Sequence, residues 1–159
     1  MAVDAFLKLG DLKGESIVKG REDEIQVDTW NWGMSQSGTT HTGTGGGAGK
    51  VDVQDMGFTK RMDTSSPAIA KAVCFGTHFD DATLTCRKAG DEPLDYLIIE
   101  MKDIIITSYS TSGSAGQDVV YDNFTINFAY YKMSYQPQDN KGAKAGGAIE
   151  AEYNIAENA

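Results

Sequence analysis

The chain has 159 residues, of which 40% are hydrophobic and 23% charged, and its formal net charge is −9 at pH 7. This length fits one domain, residues 1–159, with its own hydrophobic core. Because nucleic-acid binding requires a basic surface and anionic membranes repel an acidic one, neither nucleic acid nor an anionic membrane is an expected partner.

The N-terminal segment shows no targeting signal. It contains no basic stretch followed by a long apolar one, as a cleavable signal peptide would. No part of the chain approaches the roughly 20 apolar residues that a membrane helix needs. We therefore expect the protein to be made in the cytoplasm, without membrane insertion, and any export to proceed without a cleavable signal peptide.

The first two predicted strands alternate polar and apolar residues. In Val3–Leu9 the odd-numbered residues are apolar, which is typical of a strand with one buried face. The second predicted strand is Ile25–Gln36. Its two faces are Trp30, Trp32 and Met34 on one side, and Ile25, Val27, Thr29 and Asn31 on the other. Since tryptophan contributes most when its ring is buried, we expect the tryptophan face to belong to the core.

A glycine-rich segment follows, from Ser37 to Gly49. A segment of this composition buries little surface and stays flexible unless an external contact orders it. It is also longer than ordinary hairpin loops, and loops of this length are commonly functional or disordered.

One helix is predicted, over about residues 66–77. Ser66 as the N-cap and Pro67 at the first helical position favour a helix start. The apolar residues that follow recur every three or four positions, which gives one apolar stripe. Gly76 either ends the helix or allows close packing one turn before an end near His78.

The rest of the chain is predicted as strand and loop. Further strands are expected at residues 51–62, 83–87, 96–110, 119–135 and 148–155. Several strands, one helix and no recurring strand–helix–strand pattern favour a mainly β protein, an antiparallel barrel or sandwich.

The segments that superficially match catalytic motifs lack essential parts. Thr44–Lys50 lacks the first glycine of a phosphate-binding loop, and a predicted strand follows it instead of a helix. Gly33–Ser37 lacks the last glycine of a nucleophile elbow and its following helix. His41 and His78 have no spacing typical of a metal site. We therefore expect no catalytic residue, no cofactor and no metal site, and we interpret the chain as a protein that is not an enzyme.

The two cysteines, Cys74 and Cys86, have neither the spacing of a zinc site nor that of a redox pair. We interpret them as reduced, mostly buried thiols. A single disulfide between them remains an alternative, since sequence does not give the geometry that a disulfide requires.

A series of short motifs follows in order along the chain. These motifs are Asp4–Leu9, Gly14–Ser16, Trp30–Ser37, Gly49–Val51 with Gln54 and Asp55, Phe58–Lys60 with Asp63, Ser66 and Pro67, Tyr96–Ile99 with Lys102 and Asp103, Asn127–Ala129, Tyr135–Gln138, and Tyr153–Ile155. Together, and in this order, they resemble the Hcp (haemolysin-coregulated protein) family of bacterial type VI secretion. The stretch Ala129–Lys132 departs from the family pattern in being more aromatic.

The resemblance implies a tight antiparallel β-barrel of two sheets with one flanking helix. It also implies a structural function, in which six copies close into a homo-hexameric ring and rings stack into the inner tube of the secretion machine. The implied partners are further copies of the chain, the sheath and spike proteins of the machine, and effector proteins that are carried and stabilised in the ring lumen. The chain itself would be secreted through that machine.

Two sets of site residues follow from this reading. We expect a glycine-rich loop to contact neighbouring subunits or rings, through Thr40, His41, Thr42, Gly43, Thr44, Gly45, Gly46, Gly47 and Ala48. A disordered surface loop is the alternative. We also expect Asn31, which points away from the tryptophans, to face the lumen or an interface.

Two other functions remain open at this point. Some members of the family carry a fused toxin domain, so a secreted effector is one alternative; the predicted last strand ends close to Ala159, which leaves no room for such a domain. A lectin-like binding barrel is the other. A monomer that binds glycans would favour that second alternative over the tube subunit.

Overall fold

The computed structural model describes residues 3–38 and 49–159. It is mainly β, with one helix among the described residues. The elements are β1 (Val3–Leu9), β2 (Ile25–Val27), β3 (Thr29–Asn31), β4 (Met34–Ser35), β5 (Asp52–Val53), β6 (Met56–Arg61), α1 (Ser66–Phe75), β7 (His78–Lys88), β8 (Leu94–Ser112), β9 (Tyr121–Tyr135) and β10 (Ile149–Asn154).

Eight strands form one antiparallel sheet that nearly closes into a barrel. Its order is β2-β1-β7-β8-β9-β6-β3, and β10 pairs with β9 outside this path. The two strands at the ends of this order, β2 and β3, are consecutive in the chain and separated only by Asp28. The Asp28 N–H donates to the carbonyl of Thr59 on β6 at 2.8 Å, which ties both ends together. A small second sheet consists of β4 and β5. The predicted fold class is confirmed.

The predicted single strand Ile25–Gln36 is wrong in its continuity and, before Asp28, in its core face. The structure divides it into β2, β3 and β4, with a bend at Asp28. Ile25 and Val27 are buried, although we expected the opposite face to be core. After the bend Trp30 and Trp32 are partly buried against the core. The bend shifts the alternation by one residue, so both sets of apolar residues contact the core.

The long strands β7, β8 and β9 all change their buried face at one level of the sheet. Phe79, Ile104 and Phe128 face the core and lie in register across these strands. The next core-facing residues are three positions away instead of two: Ala82, Met101 and Tyr131. Asp103, between them on β8, has a left-handed φ of 57°. Such irregularities let one strand pass from one sheet layer to another, so this level is a corner of the barrel.

The corner divides the sheet into two layers, which accounts for the predicted two sheets. The front half consists of β3, β6, residues 104–112 of β8 and residues 121–128 of β9. The back half consists of β1, β2, β10, residues 82–88 of β7, 94–101 of β8 and 131–135 of β9. The hydrophobic core lies between the two halves and is continuous with the buried face of α1.

Helix α1 begins and ends close to the predicted positions. Its N-cap is Ser65, one residue before the predicted cap, so Pro67 is at the second helical position. Gly76 ends the helix with a left-handed φ of 59°, and its N–H donates to the carbonyl of Val73. A left-handed residue is the common way to stop a helix, and glycine adopts it at no steric cost. The structure thus selects the first of the two roles expected for Gly76.

The two cysteines are free, and only one of them is buried. Cys86 lies in the core on β7, where burial raises the pKa of its thiol. Cys74 is exposed on α1, so the prediction of two buried thiols is wrong for it. The helical stripe points Ile69 and Ala72 inward, which leaves position 74 on the solvent side.

Candidate assembly surfaces

The predicted contact loop, Thr40–Ala48, lies outside the described residues. The residues on either side of it are described, and they are close together. A Cβ atom on Gly49 would overlap the hydroxyl of Ser37. Just before this point β4 pairs with β5, with Met34 opposite Val53. The two ends of the loop therefore leave the barrel side by side from the small sheet.

Asn31, the predicted lumenal residue, is exposed on β3. It pairs with Gly57 on β6. A Cβ atom on Gly57 would lie 3.0 Å from both the Nδ2 and the Oδ1 atoms of Asn31. The absence of a side chain at position 57 therefore gives the Asn31 amide its place on the surface of the front half.

Asn31 is part of a larger uncharged surface, which we call the neutral face. Two rows of residues cross the four strands of the front half, in the order β3, β6, β9 and β8. The neutral face consists of Thr29, Thr59, Asn123 and Ser110 in the first row, Asn31, Gly57, Thr125 and Ser108 in the second, and Asn127 beyond them. Arg61 and Asp55 lie beyond its two ends, and the face itself carries no charged side chain.

Hydrogen bonds between strands hold the side chains of the neutral face in place. The Thr59 hydroxyl donates to Oδ1 of Asn123 at 2.6 Å. The hydroxyls of Ser108 and Thr125 lie 2.6 Å apart. Side chains that are fixed in this way lose little further freedom when they bind a partner.

A bulge in β8 anchors one end of the neutral face. The register of β8 with β9 shifts between Ile106 and Ser108, which leaves Thr107 as the extra residue. The Thr107 hydroxyl donates to Oδ2 of Asp55 at 2.7 Å. The Asn127 amide donates to Oδ1 of the same carboxylate at 2.8 Å. Both Asp55 oxygens thus accept hydrogen bonds from the front half.

The front half has an open edge on each side. Strand β7 pairs with β8 only as far as Ile105. Within the described chain, residues 107–112 of β8 therefore have no strand partner on that side. At the opposite side β3 pairs with β6 and, among the described residues, with no other strand. Open edges present unpaired backbone N–H and C=O groups and are ready templates for pairing with another chain.

The outward face of the back half is charged. We call it the charged face, and its residues are Lys8, Asp81, Thr83, Glu100, Lys102, Tyr130, Lys132, Glu150 and Glu152. The ammonium of Lys132 lies 3.2 Å from the Glu150 carboxylate. The Lys102 ammonium lies 4.8 Å from the centre of the Tyr130 ring. A hydrogen bond from the Tyr130 hydroxyl to Glu152 raises the pKa of Tyr130 to about 12.

A buried ion pair fastens the start of α1 to the front half. Lys60 and Asp122 are both 0% exposed, and Nζ of Lys60 lies 2.9 Å from Oδ2 of Asp122. The same Nζ donates to Oγ of Ser66 at 2.8 Å and to Oδ1 of Asp63 at 3.0 Å. Tyr109 donates its hydroxyl to Oδ1 of Asp122 at 3.0 Å.

The electrostatics of this network favour the ionised carboxylate. Burial by itself would raise the pKa of Asp122, but hydrogen bonds from Ser66 and Lys60 outweigh it, and the pKa is lowered. Sequence reasoning found Lys60 and Asp63 only as family motifs, and Ser66 both as a family motif and as the expected N-cap of the helix. A lysine in the apolar alternation of β6 was the available signal, because a buried lysine requires a buried acidic partner.

A second cluster of charges fixes the loop before β2. Arg21 and Arg87 both donate to Asp95, at 2.6 and 2.7 Å. Arg21 also lies 3.4 Å from Glu24. Burial would raise the pKa of Asp95, but the hydrogen bonds from Arg87 and Arg21 outweigh it and the pKa is lowered. This cluster joins the loop to the start of β8.

We expect Asp95→Asn to destabilise the fold at pH 7 by about 1–2 kcal/mol, since it weakens two charge-assisted hydrogen bonds. The folded-state pKa of Asp95 lies below its unfolded value of about 3.9. The contribution of the carboxylate is therefore present above about pH 4 and is lost as the pH falls through the lower folded value. Urea unfolding at pH 7, 5 and 3 should show the gap between the two proteins closing in acid. Asp91→Asn, at an exposed position, is the control, and a gap that persists unchanged at pH 3 would contradict the assignment.

Most of the segment Thr44–Lys50, and His41, lie outside the described residues. The segment Gly33–Ser37 contains the strand β4, and the next element among the described residues is the strand β5. His78 begins β7 and is exposed. In the described parts of the chain, no group of three or more His, Cys, Asp or Glu side chains could hold a metal ion. No helix in those parts is both long and apolar enough to cross a membrane.

Comparison with known proteins identifies close relatives over the whole length. Residues 6–135 match the family model described as "Type VI secretion system effector, Hcp". The chain is 53% identical to protein Hcp1 of Pseudomonas aeruginosa, over 99% of this chain and 98% of that protein.

Solved structures of similar proteins have the same fold. One, described as a type six secretion system protein, superposes with a TM-score of 0.93 at 27% identity and covers 99% of both chains. Hcp1 of Salmonella typhimurium gives a TM-score of 0.81 at 30% identity, over 100% of this chain and 99% of its own. A type VI secretion system effector from Yersinia pestis gives 0.78 at 29% identity, over 96% and 100%.

Proposed function

The chain belongs to the Hcp family of type VI secretion proteins, and from this premise we propose that it is the structural subunit of a secreted tube. Six copies close into a ring, rings stack into the tube, and the lumen carries and stabilises effector proteins. The sheath and spike proteins of the machine are its other partners. The protein acts without catalysis or cofactor, and it leaves the cytoplasm through the machine without a cleavable signal peptide.

The open edges of the front half are the observation that carries this proposal. One edge is formed by residues 107–112 of β8 and the other by β3. A contact between two different edges is heterologous, so each copy can bind the next in the same way until a ring closes. Pairing of the edges would satisfy the backbone groups that each subunit leaves open.

The position of the bulk of the subunit decides which face points inward. Helix α1 and the back half both lie on the core side of the front half. If the front halves of neighbouring copies join edge to edge, the bulk of each subunit must lie on the outer, wider side of the ring. The neutral face then lines the lumen and Asn31 faces the carried protein, as expected from the sequence.

The dimensions of such a ring suit a protein cargo. Six front halves of four strands give about 24 strands, and at about 4.8 Å between strands the circumference is roughly 115 Å. The corresponding diameter is roughly 35 Å between backbones if the strands run along the axis. A folded domain of about 100 residues has a radius of gyration of about 13 Å. Such a domain is about 34 Å across, and side chains on the wall narrow the lumen below the distance between backbones, so the lumen admits folded effectors smaller than about 100 residues.

Hydrogen exchange measured by mass spectrometry tests the edge contact. We expect those amides of residues 107–112 that point away from β9 to exchange about tenfold or more slowly in rings than in subunits separated by dilution, because pairing protects them. The adjoining hairpin tip, residues 113–119, is the internal control and should change little. Negative-stain electron microscopy of the same samples should show six-fold rings with an open centre.

Two results would contradict the proposal. A protein that stays monomeric at high concentration, by native mass spectrometry and by microscopy, would exclude the ring. Rings in which residues 107–112 exchange as fast as in separated subunits would exclude the edge contact and leave the orientation of the neutral face without support.

A further inference from the structure

We propose that the neutral face holds its cargo through hydrogen bonds between uncharged groups, so that the lumen accepts protein surfaces of either charge. This inference rests on the proposed ring, in which the neutral face lines the lumen. It specifies the chemistry by which an effector is recognised, and it separates the cargo surface from the charged face on the outside.

The contrast between the two outward faces is the first observation. Charged residues make up 23% of the chain, and the charged face of the back half alternates acidic and basic side chains. The nine positions of the neutral face are eight Ser, Thr and Asn residues and one glycine. Solvation alone does not require such a division, since Lys and Glu side chains cover the exposed strands of the back half of the same sheet.

The groups on the neutral face can bind many partners. Hydroxyls and side-chain amides both donate and accept hydrogen bonds, whereas carboxylates only accept and ammonium groups only donate. The cross-strand bonds of Thr59 with Asn123 and of Ser108 with Thr125 fix their positions. Gly57 gives the Asn31 amide its place on the same surface. The surface is thus pre-organised for polar contacts with no preference for charge.

Asp55 is the acidic group nearest to this surface, and its oxygens are already engaged. Thr107 and Asn127 donate to its two oxygens at 2.7 and 2.8 Å. Hydrogen bonds to an ionised carboxylate are short and strong, so they hold Asp55 in one orientation toward the bulge. The acidic group therefore holds the bulge in place instead of presenting a free carboxylate to the cargo.

The symmetry of the ring explains why the absence of charge on the neutral face affects cargo binding. Any charge on the neutral face is repeated in every copy around one lumen. Carried proteins touch the wall, well within the screening distance of about 8 Å at physiological ionic strength. A wall of one sign would therefore repel cargo of the same sign and bind the opposite sign too tightly to release.

Asn123→Asp tests the inference with almost no change in shape. The new carboxylate can still accept the hydrogen bond from Thr59, and it adds one negative charge to each copy. The probes are one acidic and one basic effector, chosen among those that co-purify with wild-type rings from a producing strain and then purified separately. Thr83→Asp, which adds the same charge to the charged face, is the matched control.

We expect the wild-type rings to bind both effectors with dissociation constants that change less than about threefold between 0.05 and 0.5 M NaCl. Asn123→Asp should weaken the acidic effector by about tenfold at low salt, with recovery at high salt, and Thr83→Asp should leave both unchanged. Wild-type binding that is lost at 0.5 M NaCl would overturn the inference, as would unchanged binding by Asn123→Asp. Ring formation is checked by electron microscopy for each variant, so a failure of the ring is distinguished from a failure of the cargo chemistry.

Discussion

Asp122→Ala is expected to destabilise the folded subunit by about 3–5 kcal/mol, because it leaves Lys60 buried without its carboxylate partner. Nζ of Lys60 lies 2.9 Å from Asp122, and neither side chain is exposed to solvent. Asp63 also contacts Lys60, at 3.0 Å, so part of the charge remains compensated and the effect should fall toward the lower end of this range. Chemical unfolding in urea at pH 7 measures the change.

A double substitution distinguishes the cost of leaving one buried charge without its partner from the contribution of the ion pair as a whole. In Lys60→Met with Asp122→Leu both charges are replaced by apolar side chains of similar size, and such replacements are often close to neutral. We expect this variant to be more stable than Asp122→Ala. Glu150→Ala provides a surface control, since its pair with Lys132 is half exposed and such pairs contribute about 0–1 kcal/mol.

The change in stability of Asp122→Ala would also show whether the network around Lys60 anchors α1 to the barrel. If the single substitution costs no more than the surface control, the network is not an anchor for α1. If it costs several kcal/mol, Lys60, Asp63 and Ser66 are family motifs because they fix the helix to the barrel. They would then have no direct part in assembly.

Strand positions could be read from the sequence wherever one face of the strand is buried throughout. The odd-numbered residues of β1 are apolar, and Ala5, Leu7 and Leu9 are buried as this alternation predicts, although Phe6 on the other face is also buried and Val3 is exposed. The helix was also predictable, because its apolar stripe, its early proline and the glycine at its end agree with one another.

The bend at Asp28 and the corner of the barrel could not be predicted in this way. Both shift the alternation by one residue, so a reading that assumes a constant period assigns the wrong face beyond them. For β2 this reading assigned Ile25 to the face opposite the core, whereas Ile25 is buried. Asp103 is left-handed without being glycine, so it gave no local signal of a bend.

The candidate surfaces were predictable only in part, because they arise from the pairing of distant strands. Sequence reasoning identified Asn31, which the structure places on an exposed strand. Its neighbours on the neutral face, such as Ser108 and Thr125, are 77 and 94 positions away in the chain and meet it only through the register of four strands. The aromatic stretch that departs from the family pattern also has a structural role, since Tyr131 packs edge-on against Trp32 with ring centres 4.8 Å apart.

Removal of Thr40–Ala48 is expected to leave the barrel folded and to reduce tube formation by about tenfold or more. The barrel should tolerate the deletion because Ser37 and Gly49, on either side of the loop, are already in contact. Shortening the loop lowers its entropic closure cost by roughly 1–1.5 kcal/mol, so thermal unfolding should not shift to lower temperature. Sedimentation and negative-stain electron microscopy then compare the amount of tube at equal protein concentration.

A length-matched variant shows whether the loop acts through contacts with a neighbour or only through its length. Replacing the same nine residues with alternating glycine and serine keeps the reach of the loop but removes its threonines and histidine. If the loop contacts the next subunit or ring, this variant should also form fewer tubes. If it restores tubes fully, the loop is a spacer of required length.

The expected loss of tubes is large because the same contact is repeated in every subunit of a ring. Six copies in each ring would lose the same contact, and every 1.4 kcal/mol lost at a ring junction lowers its association constant about tenfold. A contribution of a few tenths of a kcal/mol per subunit is therefore sufficient to suppress long tubes while single rings, joined by the open edges of the front half, persist. Normal tubes from the deletion variant would assign the loop to the solvent-exposed surface and place the junction between rings elsewhere on the barrel.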